Sequence, residues 1–148
     1  MTTEVTHVGR MLATASMFVA LLLCGVRTAD SQEKPEQLAK KSAETWVAFV
    51  HSGRYAESWD EAAQLFKAAV SKDQWQGMLH ATHNPLGQTL SRTLKSATYS
   101  TSLPGVPDGE YVVIQFDTSF EHKKSAVETI TPMLDKDRAW KVSGYFIK

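Results

Sequence analysis

The stretch EYVVIQFDTSF, residues 110–120, decides the fold class of this chain. Val112, Ile114 and Phe116 occupy alternate positions in it, so an extended backbone points them to one side. Asp117 points to the other side, which is mostly polar. Alternation with a period of two is typical of a strand that has one face on a core and one face at least partly in water. The stretch therefore predicts a strand that packs against another layer of the protein.

The segments on either side of this strand repeat its period. Residues 97–103 alternate before it, residues 125–134 follow a polar turn after it, and residues 140–146 alternate at the end of the chain. Pro132 lies within the second of these segments, where it predicts an edge strand, a strand end or a bulge. Short polar or Pro/Gly-rich turns between the segments indicate that successive strands run antiparallel.

Before Gly87 the apolar residues recur every three or four positions, which predicts helices. The first helix is predicted over residues 35–52, and a second helical pattern covers residues 54–69. A third begins with a capping box at Ser71 and ends before Asn84. Helices followed by a run of strands predict an α+β domain with N-terminal helices packed on an antiparallel sheet of about four strands.

The first 31 residues predict export. Arg10 precedes an apolar run over residues 11–26 that is too short for a membrane span and suits a secretory signal peptide. Ala-Asp-Ser at residues 29–31 offers the small-x-small pattern that signal peptidase cleaves. We therefore predict a signal peptide over residues 1–31, a single periplasmic domain over residues 32–148, and no membrane span after signal removal.

Cys24 is the only cysteine of the chain and leaves an alternative open. It lies near the end of the apolar run, where lipoprotein processing attaches acyl chains and anchors a protein to the membrane. Such processing requires a small residue directly before the cysteine, and Leu23 occupies that position. Because no cysteine follows Cys24, the predicted domain contains no disulfide.

The balance of charge excludes two classes of partner. The chain has 16 Lys and Arg residues against 16 Asp and Glu residues, so its formal net charge is zero. It also has no block of basic residues. A neutral domain of this kind lacks the positive surface that nucleic acids or anionic lipids select. We predict neither as a partner.

Four segments carry a resemblance: WVAFV at residues 46–50, GRYAESW at 53–59, EYVVIQFDTSF at 110–120 and WKVSGY at 140–145. Together they resemble a bacterial domain-of-unknown-function family, number 4019 in its series. The order of helices before a sheet is also similar to the wider nuclear-transport-factor-2-like, or cystatin-like, group. That resemblance implies a cone-shaped α+β fold with a bent sheet. It implies no activity, because the group includes enzymes, binding modules and assembly domains.

Two histidines raise the question of a metal site. His80 and His83 are three residues apart near the end of the third predicted helix, so both imidazoles reach one metal ion. Neither a cysteine nor a carboxylate at ligand spacing completes the set of ligands. We therefore predict no metal site and no cofactor, and interpret the two histidines as polar residues at a helix end, where positive charge is favourable.

Two carboxylates are candidates for acid and base roles. Asp117 and Glu128 each lie in a predicted strand, and paired carboxylates in a pocket divide such roles. However, the apolar face of the strand at residues 110–120 carries no carboxylate, and Asp117 points away from it. No Ser, His and Asp arrangement has local motif support either. We predict no catalytic residue.

An aromatic set is the remaining candidate for a site. If a cavity remains between the helices and the sheet, aromatic and flexible apolar side chains would line it. The predicted ligand-binding residues are Trp59, Met78, Tyr99, Tyr111 and Tyr145. If no cavity remains, these side chains belong to the core. Trp140, at the start of the last strand, is expected to pack against the helices.

These observations favour an exported, non-enzymatic domain that binds a small apolar or amphipathic ligand or a protein partner of the envelope. Two alternatives remain open. One is an enzyme of the same fold with an unidentified pocket chemistry. The other is a structural envelope protein that forms a homodimer.

Overall fold

The computed structural model describes residues 33–148. The predicted signal peptide, its cleavage site and Cys24 lie outside the described residues. Four helices precede four strands in the described part of the chain. The helices are α1 Pro35–His51, α2 Tyr55–Asp60, α3 Gln64–Ala69 and α4 Lys72–Leu86, and the strands are β1 Thr89–Ser100, β2 Tyr111–Phe120, β3 Lys123–Leu134 and β4 Trp140–Ile147. Within residues 33–148, no helix is both long and apolar enough to cross a membrane.

The strands form one antiparallel sheet in the order β1-β2-β3-β4, which confirms the predicted α+β class with a four-stranded antiparallel sheet. β3 is an inner strand, so Pro132 does not mark an edge. The register between β3 and β4 shifts at Thr131 and Pro132, which is the bulge that the sequence allowed. A bulge accommodates a proline because the residue there leaves the hydrogen-bond ladder.

The core lies between α1 and one face of the sheet. The alternation predicted for β2 is confirmed, because Val112, Ile114 and Phe116 are buried while Asp117 is exposed. α1 packs across all four strands. Its buried residues recur at helical spacing: Ala39, Ala43, Trp46, Val47 and Val50. Trp140 is partly buried against this core, as the sequence predicts.

The second helical pattern breaks into two short helices, which corrects the prediction of one. α2 ends at Asp60 and α3 begins at Gln64. At the break, the backbone N–H of Ala63 donates a hydrogen bond of 2.8 Å to the carbonyl of Val142 on β4. In a continuous helix the Ala63 N–H would bond to a carbonyl of the same helix. Here it bonds to β4 instead and covers part of the free edge of the sheet.

Two element boundaries also differ from the prediction. α4 starts at the predicted capping box but continues through Pro85 to Leu86, because a proline in the last turn removes few helical hydrogen bonds. β1 begins at Thr89 instead of near residue 97. Its register shifts between Leu94 and Ser96, and this bulge interrupts the alternation by which a strand is recognised.

Candidate functional site

A buried carboxylate organises the polar interior of the domain. Glu128 on β3 has no exposed surface. It pairs with Phe116 on β2, and directly paired residues share a face of a sheet, so its side chain points into the core. Asp117 pairs with Val127 and faces the opposite side, where it contacts Lys95. The structure therefore separates the two carboxylates that the sequence offered as a pair.

The Glu128 carboxylate accepts four hydrogen bonds. Oε1 accepts from Nε2 of His51 at 2.9 Å and from the hydroxyl of Tyr145 at 2.7 Å. Oε2 accepts from Nε of Arg92 at 2.9 Å and from the hydroxyl of Thr118 at 2.7 Å. Helix α1 and all four strands contribute a member to this group, which we call the Glu128 cluster. The carboxylate is thus fully satisfied without contact with water.

These contacts fix the ionisation of Glu128. Burial by itself raises the pKa of the carboxyl, because it disfavours the charged form. The hydrogen bond and charge of His51, followed by the charge of Arg92 and the Thr118 hydroxyl, outweigh burial and lower the pKa to about 2. Glu128 is therefore ionised at neutral pH and acts only as an acceptor.

Tyr145 connects the cluster to His83 on α4. Because the Tyr145 hydroxyl donates to Glu128, it accepts from Nε2 of His83, which lies 3.1 Å away. Burial lowers the pKa of His83 to about 4, and the charge of nearby His51 adds to this effect. Burial and the neighbouring Glu128 charge raise the pKa of Tyr145. Both side chains are therefore neutral at neutral pH.

Two surface depressions reach the cluster beside His51. One has a volume of about 490 Å³ and includes Arg92, and the other has a volume of about 310 Å³ and includes His83. The two depressions share His51, Gln88 and Thr89. The side chains of His51 and Arg92 retain 15% and 19% of their exposure, so solvent or a small molecule reaches the rim of the cluster but not Glu128.

A larger groove of about 560 Å³ runs beside α1 and the turn that leads into β4. Apolar side chains form its floor: Leu38, Trp46, Phe49 and Trp140. Charged side chains line its rim: Lys41, Glu61, Arg138 and Lys141. Three of these four charges are positive. Among the described residues, Lys141 pairs with Asp137, whereas Lys41 and Arg138 make no ion pair.

The turn between β3 and β4 holds Arg138 at the rim of the groove. Arg138 has a φ of 65°, which lies in the left-handed region that a side chain makes unfavourable. Its backbone N–H donates to the carbonyl of Asp135, and the buried Asp135 carboxylate accepts from the backbone of Gln64 at 3.0 Å. These bonds fix the turn against α3. The backbone strain is therefore maintained by the surrounding structure, as is common at binding sites.

The groove continues into a neighbouring depression of about 480 Å³. The two share Leu38, Arg138 and Trp140, and the second extends past Lys34 to Glu110. Together they form a continuous track along most of α1, from Pro35 to Phe49. Such a shape suits an elongated ligand better than a compact one.

The five predicted ligand-binding residues lie in different places. Trp59, Tyr99 and Tyr145 are partly buried against the core, Tyr111 is buried and Met78 is exposed. None of the five lines the groove beside α1 or the two depressions beside His51. The structure does not gather them around one of these cavities, and their role in ligand binding stays a prediction.

The two histidines that raised the metal question have separate partners. His83 is buried and contacts Tyr145, whereas His80 is exposed and its ring lies 4.8 Å from that of Tyr55. Within residues 33–148, no group of three or more His, Cys, Asp or Glu side chains is arranged to hold a metal ion.

Sequence reasoning did not identify His51, Thr89 or Arg92, because they are far apart in the chain and form no local motif. It did consider Glu128, and one signal was available there. Glu128 is two residues from both Ala126 and Ile130, which are buried, so the period of a strand places it on the apolar face. A charged residue on such a face requires partners.

The comparison with known protein families supports the resemblance to family 4019. The profile of the family described as protein of unknown function (DUF4019) matches residues 42–145, which include most of α1 and the whole of the sheet up to Tyr145. None of the curated proteins matches the chain. The match covers more than half of the sequence, and the chain therefore belongs to the DUF4019 family.

Proposed function

We propose that this protein is an exported binding domain whose groove beside α1 holds a small amphipathic ligand with an anionic head group. The observation that carries this proposal is the combination of an apolar floor with a mostly basic rim. The volume of the groove, about 560 Å³, lies in the range of small-molecule sites, roughly 300 to 1,000 Å³.

The charges of the rim favour an anion over a cation. Lys41, Arg138 and Lys141 face a single acidic residue, Glu61. Lys41 and Arg138 make no ion pair among the described residues, so an anionic head group meets positive charge that the protein has not already neutralised. A guanidinium also binds a carboxylate or phosphate through two parallel hydrogen bonds.

The apolar floor favours an alkyl chain on the same ligand. Phe49 and Trp140 are partly buried, and Leu38 keeps 38% of its surface exposed. Covering such surface is worth about 25 cal/mol per Å². A ligand with both an alkyl chain and an anionic head group contacts the apolar floor and the basic rim. A free anion contacts only the rim, and a hydrocarbon contacts only the floor.

The predicted signal peptide supports a cellular location for this domain, and the arrangement of helices and strands supports a fold type. Residues 1–31 support export to the periplasm of a bacterium, with a mature terminus at or near Gln32. The helices on one face of a four-stranded antiparallel sheet support the cone-shaped nuclear-transport-factor-2-like fold. Mass analysis of the purified periplasmic protein tests the export proposal, which a lipid-modified Cys24 at the amino terminus would overturn.

A fluorescence titration tests the ligand. The probe is 11-(dansylamino)undecanoate, which carries a chain, a carboxylate and a fluorophore. Trp46 and Trp140 line the groove, so binding should produce energy transfer from tryptophan to the dansyl group. We expect Arg138→Glu to weaken binding at least tenfold, whereas Lys124→Glu, an equal charge change at an exposed site on β3, should leave it unchanged. Equal affinities of both variants and the unchanged protein would contradict the proposal.

A further inference from the structure

The track beside α1 changes its chemistry along its length. At one end, Trp46 and Phe49 line the groove but not the neighbouring depression. In the middle, Arg138 belongs to both cavities. Over the residues from Pro35 to Phe49, a helical rise of about 1.5 Å per residue gives a length of about 20 Å. The track is therefore long enough for a ligand with several separate groups.

The end of the track beside the start of α1 is acidic. The neighbouring depression adds Glu33, Lys34 and Glu110 to the track, so two of its three additional charges are negative. The groove has the opposite balance, with one acidic residue against three basic ones. Arg138 lies where the two cavities meet. The sign of the charge therefore changes from positive to negative on passing from the groove to the start of α1.

Two strands hold Glu110 in place at this acidic end. Its backbone carbonyl accepts a hydrogen bond of 2.9 Å from the N–H of Leu134 on β3. Its Oε1 accepts a hydrogen bond of 3.1 Å from the hydroxyl of Tyr99 on β1. Among residues 33–148, Oε2 of Glu110 has no hydrogen-bond partner and the carboxylate makes no ion pair. A carboxylate in this state is available to a hydrogen-bond donor on a ligand.

A ligand with a single charge leaves this carboxylate unused. A fatty acid places its carboxylate at Arg138 and its chain on the apolar floor, and brings no group to Glu110. Arg138 and Glu110 line the same depression, so an ammonium joined to the anionic group by a short linker extends from one residue towards the other. The order of groups along such a ligand is alkyl chain, anion and cation, which is the order of the chemistry along the track.

We propose that the ligand of the track is a single-chain phospholipid whose head group ends in an ammonium, and that Glu110 recognises this ammonium. The alkyl chain lies on the apolar floor, the phosphate binds Arg138, and the ammonium donates to Oε2 of Glu110. Tyr99 is a positioning residue, because its hydroxyl orients the Glu110 carboxylate while Tyr99 itself does not line the track. This inference rests on the proposed function and specifies the head group of the proposed ligand.

Isothermal titration calorimetry with the purified protein tests the head group. The ligands are lysophosphatidylethanolamine and lysophosphatidylglycerol, each with a dodecanoyl chain, and dodecanoate, all kept below the concentrations at which they form micelles. The two phospholipids share the chain and the phosphate, and only the first carries an ammonium. We expect lysophosphatidylethanolamine to bind about tenfold more tightly than lysophosphatidylglycerol, because a hydrogen bond between charged groups contributes on this scale.

Three variants locate the recognition. Glu110→Gln keeps the shape of the side chain and should abolish the preference for lysophosphatidylethanolamine, while the affinities for the other two ligands stay unchanged. Tyr99→Phe should reduce the preference to about threefold, since it removes the hydrogen bond that orients Glu110. A purely structural role of that hydroxyl would instead weaken the binding of all three ligands alike. Glu44→Gln removes an equal charge from an exposed site on α1 that lines neither cavity, and should change no affinity.

The outcomes separate this inference from the proposed function. Equal affinities for the two phospholipids, with dodecanoate still bound, would overturn the recognition of an ammonium and leave the proposed function standing. A preference for lysophosphatidylethanolamine that persists in the Glu110→Gln variant would overturn the role of Glu110. Binding of none of the three ligands would overturn both the inference and the proposed function.

Discussion

The Glu128 cluster pairs its charged groups within the protein, whereas the groove beside α1 leaves charged groups without a partner within residues 33–148. In the cluster, the carboxylate is buried and receives four hydrogen bonds from the protein itself. In the groove, Arg138 is exposed on a strained turn and makes no ion pair among the described residues. The cluster therefore contributes to the folded structure, whereas the groove leaves its charge available to a ligand. The comparison predicts that changes in the two regions affect different quantities.

The largest expected effect is the loss of stability on removal of Glu128. Glu128→Ala leaves Arg92 and two hydroxyls without their acceptor in the interior, and breaking a buried pair in this way costs about 3 to 5 kcal/mol. The free energy of unfolding, measured in urea, checks this value. Asp117→Ala, on the exposed face of the sheet, is the matched control and should cost less than about 1 kcal/mol. Equal losses would mean that the cluster does not organise the interior.

The pH dependence of stability should originate in Glu128 and in His83, which contacts the cluster through Tyr145. The pKa of His83 is about 4 in the folded protein against an ordinary 6.5, so stability should start to fall as the pH drops below about 6.5. The pKa of Glu128 is about 2 against an ordinary 4.5, so a further loss should follow below pH 4.5. Thermal unfolding between pH 7 and pH 3 measures both. His83→Gln should remove the first loss and keep the second, and an unchanged profile in that variant would assign the first loss to another group.

The smallest expected effect concerns the turn that holds Arg138. Arg138→Gly relieves a left-handed conformation that a side chain makes unfavourable, so the free energy of unfolding should rise by about 0.5 kcal/mol. The same variant should bind 11-(dansylamino)undecanoate more weakly, because it loses a charge at the rim. A gain in stability together with a loss of affinity would show that the protein keeps, at a strained position, a side chain that binding requires. A loss of stability would show that the Arg138 side chain has a structural role.

The sequence predicted those elements whose pattern no local irregularity interrupts. The alternation in β2 and the helical spacing in α1 persist along their whole length, so the strand, the helix and their buried faces were correct. The start of β1 was missed because a bulge near Lys95 shifts the phase of its alternation. The break between α2 and α3 was missed because its cause, a backbone bond from Ala63 to β4, depends on tertiary structure.

The candidate sites were less accessible to prediction than the fold. The Glu128 cluster joins residues up to 94 positions apart in the chain, from His51 to Tyr145, and only the strand register and the packing of α1 on the sheet bring them together. The groove depends on the turn at Arg138, whose left-handed backbone is unusual for a residue with a side chain. Side-chain type alone therefore indicated neither site.

A crystal structure of the protein grown with dodecanoate would locate a ligand in the groove beside α1. We expect an alkyl chain along Leu38, Phe49 and Trp140, with the carboxylate within hydrogen-bonding distance of Arg138. An empty groove under saturating dodecanoate, or a chain bound only elsewhere on the domain, would contradict this expectation.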